Sequence, residues 1–382
     1  MTLQNFDGKN DTITPEQVQY WDHKHLIHPW SEFSEDSFDM TQVSRADGIY
    51  LYDAHGNKLI DGPGGMWCVN IGYGRKEMAD AISEQIMNMT YSSPWFTTNE
   101  PAAMLAKVIT EKTPGDLNRV FFSNGGSDAV DTALRFIQYR NNVIGKPDKK
   151  KILCREKGYH GSSYLAATVS GTGREHDRRY MDTHQDLAIM LPNINPYIRP
   201  SGTSLEEWCN EKISEMEETI LSIGSDKIGC FIAEPILASG GVIVPPPGYH
   251  QRSLELCKKH DIVYISDETV TGFGRLGHWF ASKEVFGIQP DIITCAKGLT
   301  SGYLPMGAAI ISESLIDSIK NKDGSQPFTN GYTYSCHPVA AKAALTNIDI
   351  MSKDRILEHV RKISPHFQNR LRDLGKKYDI IG

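Results

Sequence analysis

No stretch of this chain approaches the roughly 20 consecutive apolar residues of a membrane-spanning helix. Its first residues, Met1-Thr2-Leu3-Gln4-Asn5-Phe6-Asp7, carry no basic-then-apolar leader. A membrane protein is therefore not expected, and a cytoplasmic one is. Paired cysteines are missing too. Cys68, Cys154, Cys209, Cys230, Cys257, Cys295 and Cys336 are an odd set, widely spaced, and no two form a C-x-x-C. That excludes a zinc ribbon or a disulfide framework and leaves reduced thiols. A basic stripe is absent as well: the net charge is −7 and opposite charges are interspersed. A nucleic-acid partner is not expected. No G-x-S-x-G elbow occurs, so a triad of His160 with Ser162 and a distant acid lacks its usual setting.

The 382 residues exceed what one core usually serves, so one large and one smaller domain are expected. Thr14 is placed to cap a helix opened by Pro15. Gly48-Ile49-Tyr50-Leu51-Tyr52 and Lys58-Leu59-Ile60-Asp61, joined by Asp53 to Asn57, read as a hairpin. Gly62 to Cys68 reads as a flexible turn ending in bulky side chains. Beyond about residue 100, short apolar runs recur: Val120-Phe121-Phe122, Lys151 to Cys154, Gly229 to Ala233, Ile262 to Ile265, Ile292 to Cys295 and Ala308 to Ile311. They alternate poorly, which marks strands covered on both faces. Helical segments at Asp128 to Arg140, Ser204 to Leu221, Gly248 to His260 and Ser312 to Ile319 intervene. The pattern predicts an α/β fold, a mostly parallel sheet between helices, with ligands beyond the carboxyl ends of the strands. Pro338 to Met351 and Lys353 to Lys376 read as helices, and Tyr378-Asp379-Ile380-Ile381-Gly382 as the start of a strand or a frayed terminus.

Two of those strand ends carry ionisable groups. Ile262-Val263-Tyr264-Ile265-Ser266 runs into Asp267, and Ile292-Ile293-Thr294-Cys295-Ala296 runs into Lys297-Gly298. An unpaired ammonium at a buried strand end is costly, so Lys297 needs either a carboxylate or an aldehyde with which to form an imine. Asp267 either pairs with Arg275 or faces a pyridine nitrogen, keeping that ring protonated as an electron sink. Glu234, before Pro235, is a further strand-end carboxylate. A metal held by Glu234 and Asp267 lacks a histidine at ligand spacing, and none is expected. Ser123-Asn124-Gly125-Gly126-Ser127-Asp128 joins a strand to a helix and offers exposed N–H groups to an isolated phosphate, or simply caps the helix. Tyr159, between glycines, either stacks on a flat ring or sits on a surface turn.

These motifs, with Gly65-Met66-Trp67-Cys68, Tyr159-His160-Gly161, Glu234-Pro235, Gly272-Phe273-Gly274-Arg275 and Gly331-Tyr332-Thr333-Tyr334-Ser335, occur in one order. In that order the chain resembles the class III pyridoxal-phosphate aminotransferases, most nearly the omega-amino-acid:pyruvate branch, from about Trp30 onward. The resemblance implies fold type I, with a seven-stranded sheet. It also implies an N-terminal segment with small-domain strands over 1–75, a large cofactor domain over 76–335 and the start of a C-terminal small domain over 336–382. In the branch, a longer C-terminal part carries an arginine for the substrate carboxylate; this chain stops before it.

Carried over, Lys297 would hold pyridoxal 5'-phosphate as an imine and move the proton, while Asp267 would pair with the ring nitrogen. Tyr159, beside His160, would stack on the ring, and Thr269, where the branch often has valine, would lie near its other face. Gly125, Gly126 and Ser127 would hold the phosphate, and Glu234 would lie by the cofactor hydroxyl. Trp67, with Trp95 or Phe96, would shape the substrate pocket. Thr333 would reach the phosphate in a neighbouring subunit, implying a homodimer or a dimer of dimers. The implied activity passes an amino group from an amine or omega-amino acid to a keto acid such as pyruvate. Cofactor groups alone do not select the fate of the imine, so a mutase or decarboxylase of this fold is the alternative. From another class, a shortened, non-catalytic binding module is the other.

Overall fold

The computed structural model describes residues 13–33, 40–171, 181–320, 322 and 326–381. The leader reading at Met1 to Asp7 lies outside them. The chain divides into two compact units, Met1–Gly64 with Gly72–Arg75, and Gly65–Ile71 with Lys76–Gly382.

In the first unit Thr14 caps the helix Pro15–His25. Its hydroxyl accepts from the Gln17 N–H while the Gln17 side chain accepts from the Thr14 N–H, a reciprocal box that satisfies two otherwise orphan donors. The expected hairpin is present and gains a strand the sequence did not suggest. β1 (Val43–Asp47), β2 (Tyr50–Asp53) and β3 (Lys58–Ile60) pair antiparallel in that order. Asp53 accepts from the His55 and Asn57 N–H groups, which closes the turn between β2 and β3.

The second unit is built on a seven-stranded sheet ordered β4-β10-β9-β8-β7-β5-β6. Its strands are β4 (Leu117–Ser123), β5 (Lys151–Arg155), β6 (Ala188–Leu191), β7 (Ile228–Ala233), β8 (Val263–Asp267), β9 (Ile292–Cys295) and β10 (Gly307–Ser312). β10 alone runs against its neighbours, pairing antiparallel with β4 and β9; the other pairs are parallel. Alternate side chains feed two cores. On one face Leu153, Phe231 and Tyr264 meet Met216 and Ile220 of the helix Leu205–Ile223 and Cys257 of the helix Tyr249–Lys259. On the other, Cys154, Ile232 and Ile265 meet Val130, Ala133 and Ile137 of the helix Gly126–Val143. Burial on both faces is why these strands read as continuous apolar runs.

Two segments differ from expectation. Gly65, Met66 and Trp67 are a tight left-handed turn, with φ of 58°, 60° and 61°. For Met66 and Trp67 that conformation costs about 1–2 kcal/mol each. Residues 378–381 form a turn closed by the Ile381 N–H on the Tyr378 carbonyl, because no neighbouring strand among the described residues pairs with them. Among the described residues no helix is long and apolar enough to cross a membrane.

Candidate active site

Five parallel strands end at one edge of the sheet, and the ionisable groups lie just past them. β4 leads to Gly126 and Ser127, β5 to Tyr159 and His160, β7 to Glu234, β8 ends in Asp267, and β9 leads to Lys297. All seven line one cleft, which Thr269 also borders. Parallel strands leave this edge free for loops, which is why ligands gather there.

Asp267 is buried, 3 % exposed, and its carboxylate is almost fully engaged. Oδ1 accepts from the Thr269 N–H (3.1 Å) and the Thr294 hydroxyl (2.9 Å), and Oδ2 pairs with His160 Nδ1 at 2.8 Å. A carboxylate offers about four acceptor positions, so one remains for a donor in the cleft. Burial pushes its pKa up, but the hydrogen bond and charge of His160, with the contacts from Thr269, outweigh burial and hold it below the ordinary carboxylate range. Asp267 is thus an anion throughout the neutral range. It does not pair with Arg275, whose guanidinium donates to Asn70 Oδ1.

Lys297 opens the short turn Lys297–Leu299, with φ 40°. Its Nζ stands 5.7 Å from the centre of the Trp67 ring. Opposite, the helix Gly126–Val143 starts at Gly125 with no side-chain cap. Its first N–H groups therefore remain available to an anion, and the helix dipole favours negative charge there. The Ser127 hydroxyl accepts from the Ser162 N–H at 3.1 Å, which leaves its own proton to give. Close approach is needed here: a Cβ on Gly161, at φ 136°, would lie 2.4 Å from Ser127 Oγ. The Thr269 hydroxyl is buried beside Asp267 and makes no hydrogen bond of normal geometry.

Glu234 accepts from the Tyr159 N–H (2.8 Å) and the Ala238 N–H (3.0 Å). Burial raises its pKa and nearby Asp267 adds to this; the charge of His160 and the two N–H bonds oppose them, leaving it at about 7. Between the reference 4.5 and about 7 the folded protein holds a proton that the unfolded chain releases. Stability from this group therefore falls as pH rises through that window, by roughly 3 kcal/mol. Glu234→Gln, always neutral, is expected to flatten the fall. Denaturant titrations of the cofactor-free protein at about pH 4.5 and about pH 7 check this, and parallel profiles for wild type and variant would contradict it.

The structure thus gathers Lys297, Asp267, Gly126, Ser127, Tyr159, His160, Glu234 and Thr269, with Gly125 at the helix cap and Trp67 beside the lysine. Thr333, Trp95 and Phe96 lie outside the lining, on exposed positions. Gly161, Val270 and Ser239 also line the cleft. Gly161 sits inside a motif already noted; Val270 follows Thr269, and Ser239 follows Glu234 in a stretch with no signal of its own. Among the described residues no group of His, Cys, Asp or Glu has the makings of a metal site. An anion seat, a carboxylate with one open acceptor position, a buried orphan hydroxyl and an amine, all around one cleft, fit a phosphorylated pyridine aldehyde.

Residues 33–382 match the Aminotransferase class-III family. The chain is 36 % identical to putrescine–pyruvate aminotransferase of Pseudomonas aeruginosa over 372 residues, 96 % of this chain and 80 % of that one. It is similar to the crystal structure of a thermostable (S)-enantioselective omega-transaminase from Thermomicrobium roseum, with TM-score 0.91, 33 % identity, and 96 % and 81 % of the two chains covered. It is also similar to the omega-transaminase of Pseudomonas jessenii in complex with PMP, with TM-score 0.88, 31 % identity, and 93 % and 79 % covered. The chain therefore belongs to the class III pyridoxal-phosphate-dependent aminotransferases, close to the omega-transaminases, and is an enzyme that passes amino groups from amine or omega-amino-acid donors to keto acids.

Proposed function

We propose that Lys297 is the residue that binds the cofactor covalently and carries the proton, and that Asp267 is the partner of its ring nitrogen. The observation that carries this reading is one cleft bordered by Lys297, Asp267 and the Gly126-Ser127 helix start. Once bound, pyridoxal 5'-phosphate supplies an aldehyde for the donor amine and a ring that withdraws electrons from the carbon beside it. The protein does the rest. Lys297 Nζ acts as general base and then general acid. Asp267, kept anionic by its three donors, holds a positive charge on the ring nitrogen. Gly126, Ser127 and the helix start hold the phosphate. Tyr159 and Thr269 border the ring, and Glu234 the hydroxyl side, with His160 fixing Asp267. Trp67 limits the space beside Lys297.

The proposed donor is a primary amine such as a diamine or omega-amino acid, and the acceptor a pyruvate-like keto acid. The likeness to putrescine–pyruvate aminotransferase supports both. A homodimer, or a dimer of dimers, is proposed as the working form. Its support is the exposed cluster around Thr333: Trp95 at 56 %, Phe96 at 92 % and Tyr334 at 59 % exposure. In that form Thr333, with Trp95 or Phe96, would complete a neighbouring site. A cytoplasmic setting is proposed from the free cysteines.

Borohydride treatment of the purified protein followed by peptide mass analysis tests the reading. The cofactor mass is expected on the peptide holding Lys297, and pyruvate is expected to reverse the spectral change that an amine donor causes. Label on another lysine, or a spectrum blind to both substrates, would refute it.

A further inference from the structure

Lys297 is held in its left-handed conformation by a turn whose own bonds are weak. Within it the Thr300 N–H reaches the Lys297 carbonyl at 3.3 Å, and the Ser301 N–H the Gly298 carbonyl at 3.4 Å. Ser301 is itself left-handed, at φ 50°. Only the Leu299 N–H to the Ala296 carbonyl, at 2.8 Å, is short. A turn with left-handed non-glycine residues at both ends persists only if its surroundings impose it.

The imposing group is distant in sequence. Asn347, 0 % exposed, lies within the helix Pro338–Lys353. Its Nδ2 donates to the Gly298 carbonyl at 2.8 Å and the Leu299 carbonyl at 3.0 Å. Its Oδ1 accepts from the Ser301 hydroxyl at 2.7 Å. Both amide hydrogens and the amide oxygen are therefore spent on the residues following Lys297. On the other side Asn70 closes the gap: a Cβ on Gly298 would lie 2.5 Å from Asn70 Nδ2, which is itself fixed by the Phe273 carbonyl at 2.7 Å. The helix bearing Asn347 packs on the helices Lys76–Asn88 and Glu100–Thr110, a rigid support.

We propose that Asn347 is a positioning residue for Lys297: by gripping Gly298, Leu299 and Ser301 it sets the backbone from which the amine enters the cleft. The proposal rests on the reading of Lys297 as the cofactor-binding amine. Misplacing a reacting group by about 1 Å costs on the order of 100-fold in rate.

The test compares Asn347→Leu, which removes all three bonds at similar volume, with Asn347→Asp, which keeps the acceptor for Ser301 but turns an oxygen toward two carbonyls. Ser301→Ala removes a single bond and serves if the Leu variant does not fold. In the cofactor-loaded enzyme, both Asn347 variants are expected to lower kcat by about 10- to 100-fold with a smaller change in KM. They are also expected to move the pH midpoint of the cofactor absorbance near ~420 nm. Ser301→Ala should do so to a lesser degree. In the cofactor-free protein, amides 299–301 should exchange hydrogen faster in the variants. Thr346→Ala, on the same helix with its hydroxyl on the Lys342 carbonyl, should change none of these. Folded Asn347→Leu or Ser301→Ala with wild-type kcat, pH midpoint and exchange would overturn the proposal. Borohydride label on Lys297 in that case leaves the cofactor reading intact; absence of label from the wild type overturns both.

Discussion

Replacing Lys297 with alanine is expected to lower amine-to-keto-acid turnover by at least about 10³-fold and to abolish the absorbance near ~420 nm. The size follows from two losses at one atom: the covalent attachment that orients the cofactor, and the base that moves the proton. Fold stability should change little, because Lys297 makes no ion pair of its own among the described residues and its left-handed backbone suits alanine no worse than lysine. A turnover assay with a diamine and pyruvate, together with the absorbance spectrum, measures the effect. Retained yellow colour and retained turnover would mean that another amine does the work. Added small amines should restore part of the turnover, as expected when the missing piece is a base and the rest of the cleft stands.

Asp267→Asn is expected to produce the next largest loss, about 10²- to 10³-fold in kcat, along with weaker cofactor retention. Shape is nearly conserved, so the effect isolates charge. The amide supplies only one acceptor oxygen where Asp267 serves the Thr269 N–H, the Thr294 hydroxyl and His160 with two. Its NH2 would face either His160 or the ring nitrogen, where the wild type has negative charge. The pH dependence has a definite sign. Asp267 has a depressed pKa in the fold, so its stabilising contribution is complete above the ordinary carboxylate value and lost as pH falls through the depressed one. Acid unfolding of the cofactor-free wild type should therefore carry a contribution missing from Asp267→Asn, read as a shallower acid limb in the variant. Equal acid limbs and equal kcat would contradict the assignment.

How much of this was legible beforehand depended on whether a signal was local. Strands covered on both faces announce themselves as apolar runs, so β5, β7, β8, β9 and β10 could be found, and the strand-end positions of Asp267, Lys297 and Glu234 followed from them. β6 was missed because Ala188–Leu191 is short, at the sheet edge and mostly half-buried. β1 was missed because Val43–Asp47 is exposed along nearly its whole length. The helix Lys76–Asn88 went unread although Met78, Ile82 and Ile86 recur in it at helical spacing. In the cleft, His160 was legible as a motif residue, but its pairing with Asp267 joins residues far apart in the chain. Asn347 had no signal at all: an asparagine within a helix looks like any polar residue until a distant turn is seen beneath it. The left-handed turn before Cys68 was read only as flexible, because glycine content permits such a conformation without announcing it.

The reversed strand β10 acts as a spacer. It separates β4 from β9, so the strands that lead to the anion seat and to the lysine stand two interstrand steps apart, roughly 10 Å. Because β10 points the opposite way, its beginning, not its end, floors that interval. Gly307 starts it, where any side chain would come within 2.2 Å of the Gly125 carbonyl. The spacing of the two strands is thereby written into sheet connectivity, and the loops past them close the interval: a Cβ on Gly126 would lie 3.7 Å from the Ala296 Cβ.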